Sequence, residues 1–274
     1  MKSRTLGTAL LLAMVLGGPA LAAPGPTDAD LCSTAKADVR VAACTRLIRL
    51  SGLDSTNRAS VFYDRAVGFT QLGAADPAIA DYTEAIRLKP DLVQALNNRG
   101  ALLRASGNPQ KAIADFSEVL RMEPGHLSAF INRGLAFGDL GDYRDSIVDF
   151  TQAARMAPDQ PEGYSGLCWA RALEGREPEA AITDCNAALR LKPGDSAALG
   201  YQALAYLHLN DFDSAIVAYD QCIERQPKNA SFLYGRGIAK LRAGNITGAN
   251  EDMTSAKSID PRIAQIFAGY GIAP

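Results

Sequence analysis

Histidine is scarce in this sequence of 274 residues, which contains His126 and His208 and no others. The two lie in different parts of the chain, and the five cysteines form no Cys-x-x-Cys motif. Because a metal site needs several such ligands that converge on one point, we predict no metal centre. The glycine-rich stretch Gly235-Arg236-Gly237 lacks the preceding strand that phosphate-binding loops require. The sequence therefore predicts no enzyme and no cofactor.

An excess of positive charge is also lacking. The chain has 28 Lys and Arg against 30 Asp and Glu, a formal net charge of −2, and no basic run. Proteins that bind nucleic acids or anionic membranes usually carry a basic patch, so neither ligand is expected. A hydrophobic content of 47% with 21% charged residues is normal for a globular chain and excludes wholesale disorder.

Long hydrophobic runs are nearly absent as well, and the one that exists lies near the N-terminus. Lys2 and Arg4 precede an apolar run from Leu6 to Leu16, which is followed by Ala20-Leu21-Ala22. This order is typical of a secretory signal peptide, which we predict at residues 1–22 with cleavage near Ala22. The alternative is an uncleaved anchor, although the run is shorter than the roughly 20 residues that span a bilayer. We expect the mature chain to be periplasmic or secreted, without a membrane span.

What the chain does contain is a regular series of prolines. Successive members are 34 or 35 residues apart: Pro90, Pro124, Pro158, Pro193, Pro227 and Pro261. Within each interval, apolar residues recur every three or four positions in two blocks separated by a turn, which predicts two amphipathic helices. The proline ends each hairpin because it cannot continue a helix interior. A single hairpin cannot bury its apolar face alone, so the hairpins are expected to stack.

Each interval resembles the tetratricopeptide repeat, whose pattern is an aromatic residue followed by Leu-Gly, Tyr, Ala, Phe and Pro. The third interval shows Phe130, Arg133-Gly134, Phe137, Phe150 and Pro158, with arginine where the pattern has leucine. The resemblance implies an all-α, right-handed superhelical α-solenoid of six helix-turn-helix units between two caps. The predicted units are residues 58–92, 93–126, 127–160, 161–195, 196–229 and 230–261. The predicted caps are an N-terminal hairpin at 23–57 and a C-terminal helix at 262–274.

The arginine of this pattern has a partner at a fixed spacing. In four units an aspartate follows it by 16 residues: Arg65–Asp81, Arg99–Asp115, Arg133–Asp149 and Arg236–Asp252. The fifth unit has Gln202 and Ala218 instead, so it has lost both partners together, whereas the fourth keeps Asp184 but has Leu167. We predict structural ion pairs between the two helices of four units. The alternative is that both residues are solvated on the surface.

Five cysteines in an exported chain are candidates for disulfide bonds. Cys168 and Cys185 occupy the positions held in the third unit by a glycine and a phenylalanine, which should face each other across the hairpin. Cys44 aligns with Cys185, and Cys32 precedes it by twelve residues. We therefore predict disulfides Cys32–Cys44 and Cys168–Cys185, with Cys222 as a buried free thiol.

The resemblance also implies a concave groove lined by the first helix of each unit. The residues predicted to line this groove are Tyr63, Asp64, Asn98, Asn132, Leu135, Trp169, Tyr201 and Tyr234. Asn98 and Asn132 lie one repeat apart, and each amide offers a donor and an acceptor to an extended peptide backbone. Trp169 is the expected anchor for a side chain. The alternatives are that these asparagines are plain surface amides and that Trp169 belongs to the core.

Signal sequence, repeats and paired cysteines together are similar to exported bacterial repeat proteins, notably alphaproteobacterial ones. The predicted function is a non-enzymatic scaffold that binds a peptide or protein segment in its groove. The expected partner is an exported or cell-envelope protein. Two other functions remain open: a structural or assembly component of the cell envelope, and a carrier of a small cell-wall or sugar ligand.

Overall fold

A computed structural model of the protein describes residues 27–50 and 52–274. The predicted signal peptide, residues 1–22, lies outside these residues. Fifteen α-helices and no β-strand occur in the described part of the chain, so the predicted all-α solenoid is confirmed. The helices are α1 (Asp28–Thr34), α2 (Ala37–Arg49), α3 (Ser55–Gln71), α4 (Ala75–Leu88), α5 (Val93–Ala105), α6 (Pro109–Met122), α7 (Leu127–Asp139), α8 (Tyr143–Met156), α9 (Pro161–Glu174), α10 (Pro178–Leu191), α11 (Ser196–His208), α12 (Phe212–Arg225), α13 (Ala230–Arg242), α14 (Ile246–Ile259) and α15 (Ile263–Gly269).

Helices α3 to α14 form six hairpins whose internal turns need a left-handed backbone. Glycines with φ between 70° and 88° occupy five of these turns: Gly73, Gly107, Gly141, Gly175 and Gly244. Glycine adopts this conformation without steric cost because it lacks a Cβ atom. Asn210 takes the same place in the remaining turn with φ 58°, and asparagine is among the few other residues that tolerate this region.

Neighbouring hairpins stack through large side chains that project from the second helices. Tyr82, Phe116, Phe150 and Tyr219 hold equivalent positions, and each is at most 2% exposed. From α5 to α13, each first helix also contacts the first helix of the next unit. In a curved stack the inner helices approach one another most closely, so the first helices lie on the concave face. None of the described helices has the length and apolar character required to cross a membrane.

The N-terminal hairpin of α1 and α2 packs against α3. Cys32 and Cys44 are buried, and their sulfur atoms lie 2.07 Å apart. Gly68 on α3 gives α2 room to approach, since a Cβ atom there would lie 2.8 Å from the side chain of Val41. An end repeat has one unpaired apolar face, and this hairpin covers it.

The C-terminal helix α15 packs against α13. Ile263, Phe267 and Ile272 are at most 2% exposed. The ring of Phe267 lies 5.2 Å from the ring of Tyr234 and 5.7 Å from that of Tyr270. The C-terminal segment therefore covers the first helix of the last hairpin and narrows that end of the groove.

Candidate functional site: the concave groove

The arginine and aspartate of the repeat meet in all four hairpins that carry both. Two guanidinium nitrogens contact the two carboxylate oxygens at 2.6 and 2.8 Å in Arg65–Asp81. The corresponding distances are 2.7–2.8 Å in the other three pairs: Arg99–Asp115, Arg133–Asp149 and Arg236–Asp252. Each aspartate is at most 6% exposed. Such two-point contacts hold the first and second helices of a hairpin in one orientation.

A third contact of these arginines reaches the preceding hairpin. The Nη1 atom of Arg133 donates to Ser117 at 3.1 Å, and Arg236 contacts Asp220 at 2.6 Å in the same way. In the fifth hairpin the side chain of Gln202 donates to Asn186 at 2.7 Å, so a bond between two neutral amides takes the place of the arginine contact. In these three contacts the partner stands 16 residues before the donor. Sequence reasoning missed this link, although the recurring polar residue at that spacing was a usable signal.

Asp184 has a partner that the repeat frame does not supply. Arg171, one helical turn after Leu167, donates to its carboxylate. Lys240 occupies the equivalent position in the last hairpin and contacts Asp252 at 2.9 Å. Arg171 and Lys240 stand four residues after the arginine position of the repeat. Their contact with the aspartate follows only from the arrangement of the two helices.

The predicted asparagines of the groove have different roles. The Asn98 amide donates to the buried hydroxyl of Tyr82 at 3.4 Å. In the next unit the residue in the place of Tyr82 is Phe116, which has no hydroxyl. The side chain of Asn132 accordingly makes no hydrogen bond with any residue in the described ranges, and it is half-buried. Of the two predicted asparagines, Asn132 is therefore the one whose amide has no hydrogen-bond partner among the described residues.

The first hairpin contributes two more of the predicted residues, and both are half-buried. The ring of Tyr63 lies 5.8 Å from the ring of Tyr82. Burial raises the pKa of the Asp64 carboxyl, and the charge of Arg40 opposes that rise. These side chains lie at the end of the groove nearest the N-terminal hairpin.

Trp169 is both a packing residue and a wall of the groove. Its ring lies 6.2 Å from the rings of Tyr143 and Phe150. The ring occupies space left by Gly138, where a Cβ atom would come within 2.1 Å of it. Trp169 is nevertheless half-buried, not fully buried, so one part of the ring remains accessible.

An open pocket of about 460 Å³ extends from Trp169. Ile131, Leu135, Trp169 and Tyr201 supply its apolar wall, and Ser165 lies between them. Arg104 and Glu162 stand at its edge, and Arg104 is neutralised by Asp139 at 2.7 Å. We call this site the Trp169 pocket.

A second pocket, of about 300 Å³, lies further along the groove beneath the C-terminal segment. It shares Tyr201 with the Trp169 pocket and adds Tyr219, Phe232 and Tyr270. Burial raises the pKa of the Tyr201, Tyr219 and Tyr270 phenols, so all three remain protonated donors at neutral pH. We call this site the Tyr219 pocket.

Tyr234 does not line the accessible groove, and the prediction that it does is wrong. The residue is 1% exposed because Phe267 of α15 packs against its ring. The sequence frame places Tyr234 on the inner helix correctly. It does not reveal that the C-terminal segment returns to cover this position.

The remaining cysteines and the two histidines are occupied by contacts within the fold. Cys168 and Cys185 are buried with sulfur atoms 2.06 Å apart. Cys222 is buried and free, and burial raises the pKa of its thiol to about 11. His126 accepts a hydrogen bond from Ala129 at the start of α7, whereas His208 packs against Gly175. Within residues 27–50 and 52–274, no three His, Cys, Asp or Glu side chains are grouped to hold a metal ion.

Stacked helical hairpins with a side-chain-lined inner groove define a class of protein, the helical repeat scaffolds that offer an extended surface for binding. Models of the tetratricopeptide repeat match residues 93–126, 131–196 and 202–261, which together are more than half of the chain. The chain belongs to the tetratricopeptide repeat family, which is generally a family of non-enzymatic protein-interaction repeats.

A curated protein from Bos taurus, Protein SGT1 homolog, is 25% identical over 97 residues. The match covers 35% of this chain and 29% of that protein, so the chain spans less than a third of its length.

Three solved structures have the same fold. A tetratricopeptide repeat protein from Parabacteroides merdae is 18% identical, with a TM-score of 0.64, over 86% of this chain and 93% of that one. PilW, a type IV pilus biogenesis factor, is 17% identical with a TM-score of 0.65 over 76% and 98% of the two chains. YrrB, described as having an unusual peptide-binding site, is 18% identical with a TM-score of 0.53 over 70% and 98%. At these identities the likeness concerns the fold alone.

Proposed function

We propose that this protein is an exported, non-enzymatic scaffold that binds an extended segment of a partner protein in its concave groove. The observation that carries the proposal is the Trp169 pocket. Apolar side chains line it on the inner face of the solenoid, yet the tryptophan at its centre is not fully buried. Aromatic side chains in such surroundings are common anchors of protein interfaces.

A bound segment would contact the groove in two ways. An apolar side chain would enter between Leu135, Trp169 and Tyr201, which together exclude water from it. The backbone beside it would bond the free amide of Asn132, which can donate and accept at once. Together these contacts favour an extended segment, because its backbone groups are not already paired with each other.

Charge at the edge of the pocket restricts the segment further. Glu162 is exposed there, and the charge of Arg104 is already neutralised by Asp139. An acidic segment would therefore meet repulsion without a compensating cation. We expect the partner segment to be apolar at its anchor and neutral or basic beside it.

Two observations support export. Disulfide bonds persist mainly in oxidising compartments, and two cysteine pairs lie at bonding distance in this structure. The first 22 residues also have the order of a secretory signal, as described above. The proposed location is the periplasm or the exterior, and the proposed partner is an exported or cell-envelope protein.

Site-specific photocrosslinking in the intact envelope tests the proposal. A photoreactive residue would replace Asn132 in the groove or Val217 on α12, whose side chain is 57% exposed on a second helix. Crosslinks from position 132 that disappear with Trp169→Ala, and a fluorescence change of Trp169 with the purified partner segment, would support groove binding. Crosslinks from position 217 alone would refute it and favour a structural or assembly role for the outer surface.

A further inference from the structure

The fifth hairpin has a pocket in the place where four other hairpins have an ion pair. The positions of the arginine and the aspartate are taken here by Gln202 and Ala218. Both residues line a pocket of about 310 Å³ between α11 and α12, which we call the Gln202 pocket. Since glutamine and alanine are smaller than arginine and aspartate and carry no charge, the pocket corresponds to the space that the missing pair leaves.

The first and third hairpins show which group packs in this place. The guanidinium carbon of Arg65 lies 5.7 Å from the centre of the Phe69 ring. That of Arg133 lies 5.9 Å from the centre of the Phe137 ring. At these distances the negative face of the ring attracts the cation. In both hairpins the ring stands four residues after the arginine, so the repeat places a guanidinium over an aromatic ring at this point.

In the fifth hairpin the ring is kept and the cation is missing. Tyr206 stands four residues after Gln202, is half-buried and lines the pocket. Among the described residues, no lysine or arginine belongs to the lining. The Tyr206 ring is therefore available to a cation that comes from outside the chain.

The rest of the lining suits the same cation. Asp213 is exposed at the pocket, and it forms no ion pair with any residue that the structure describes. The side chain of Gln202 uses its nitrogen for Asn186, which leaves its carbonyl oxygen as an acceptor. Val217 and Ala218 offer apolar surface to the aliphatic stem of a long basic side chain. An anion would meet repulsion from Asp213, so the charge of the pocket favours a cationic group.

We propose that the Gln202 pocket binds an arginine side chain of a partner protein, which takes the place of the arginine that this hairpin lacks. The guanidinium packs on the face of the Tyr206 ring and pairs with the carboxylate of Asp213. A planar guanidinium can stack on a ring and donate hydrogen bonds in its plane at the same time. This site goes beyond the proposed groove binding, because none of its lining residues belongs to the Trp169 pocket or the Tyr219 pocket.

NMR titration of the full chain with two short peptides tests the proposal. One is an arginine flanked by glycines with both ends blocked, and the other has citrulline instead, which has nearly the same shape but no charge. The arginine peptide should bind about 3- to 20-fold more tightly, the range expected for one exposed ion pair and one exposed cation–π contact. It should shift the signals of the Tyr206 ring and the Gln202 side-chain amide. Asp213→Asn should weaken binding of the arginine peptide about 2- to 5-fold and leave that of the citrulline peptide unchanged.

A double variant, Gln202→Arg with Ala218→Asp, restores the ion pair of the other hairpins. It should keep the helix content measured by circular dichroism and lose the preference for the arginine peptide, because its own arginine fills the pocket. Asp76→Asn is the matched control, since Asp76 holds the position of Asp213 in the first hairpin, where Arg65 is already in place. This variant should bind the arginine peptide like the wild-type protein.

The proposal is overturned if neither peptide binds at millimolar concentration or if the two bind equally to the wild-type protein. It is also overturned if the preference survives in the double variant. A wild-type dimer that the arginine peptide dissociates, measured by analytical ultracentrifugation, would identify a second copy of this chain as the source of the arginine and overturn the assignment to another protein.

Discussion

Replacing Arg133 with glutamine should destabilise the protein far more than the same change at Arg104. Arg133 donates two hydrogen bonds at 2.8 Å to Asp149 and a third at 3.1 Å to Ser117. The side chain of Asp149 is 2% exposed. Removal of the guanidinium leaves this carboxylate buried without a cation, which costs about 3–5 kcal/mol of unfolding free energy.

Arg104 provides the matched control. Its Nε atom lies 2.7 Å from Asp139, but the two side chains are 31% and 36% exposed. Exposed ion pairs contribute about 0–1 kcal/mol because water screens both charges. Arg104→Gln should therefore change the unfolding free energy by less than about 1 kcal/mol.

The effect of Arg133→Gln should depend on pH. Burial raises the pKa of Asp149, and Arg133 opposes that rise in the wild-type protein. Without Arg133, the pKa of Asp149 in the folded state exceeds its unfolded-state value by more than in the wild-type protein. The loss of unfolding free energy is therefore largest at a pH above this raised pKa, where the carboxyl is charged. The penalty shrinks as the pH falls through the raised pKa and the carboxyl takes up a proton.

Urea unfolding, monitored by the fluorescence of Trp169, measures these differences in unfolding free energy. Trp169 is the one tryptophan of the sequence, and its ring lies 6.2 Å from Phe150, beside Asp149 in the chain. Its signal therefore reports on the hairpin that carries the substitution. Equal losses at Arg133 and Arg104, or a penalty for Arg133→Gln that is unchanged between pH 7 and pH 4, would refute the reasoning.

Three other predictions concern the disulfide, a helix contact and a buried histidine. Replacing Cys168 and Cys185 together with alanine should lower the unfolding free energy by about 3 kcal/mol, measured by urea unfolding under oxidising conditions, because the unfolded chain gains freedom. Gly138→Ala should cost about 1–3 kcal/mol and shift the tryptophan fluorescence, because its Cβ atom would overlap the indole ring. Gly125→Ala is the control, because a Cβ atom there would have no atom within 4 Å, and it should leave the unfolding free energy and the tryptophan fluorescence unchanged. Burial lowers the pKa of His208 below its unfolded value, so stability should fall between pH 7 and pH 5 and fall less in His208→Gln.

Much of the architecture follows from the sequence because the repeat is periodic. The same spacing recurs in every unit, so one alignment frame locates the turns, the inner helices and the residues that face each other within a hairpin. Arg133 and Asp149 lie in contact for that reason, and so do Cys168 and Cys185. A local rule is sufficient where both partners occupy the recurring positions of one hairpin.

The repeat pattern does not predict contacts made by residues that lie outside its recurring positions. Arg171 reaches Asp184 from one helical turn beyond the expected position, which depends on how the two helices are rotated against each other. Tyr234 is covered by Phe267, a residue that follows the last repeat. Neither contact can be predicted from the repeat spacing of the sequence.

The sequence by itself determined how many hairpins form and in which order they stack, because these features repeat with the prolines and the apolar residues. The resemblance to the tetratricopeptide repeat implied which helix of each hairpin faces inward. The tertiary structure alone decided which amides of the groove find a partner. Asn98 meets the hydroxyl of Tyr82, whereas Asn132 meets Phe116, which has none. The return of the C-terminal segment decided which part of the groove stays open, since its packing depends on a surface that exists only after the hairpins have stacked.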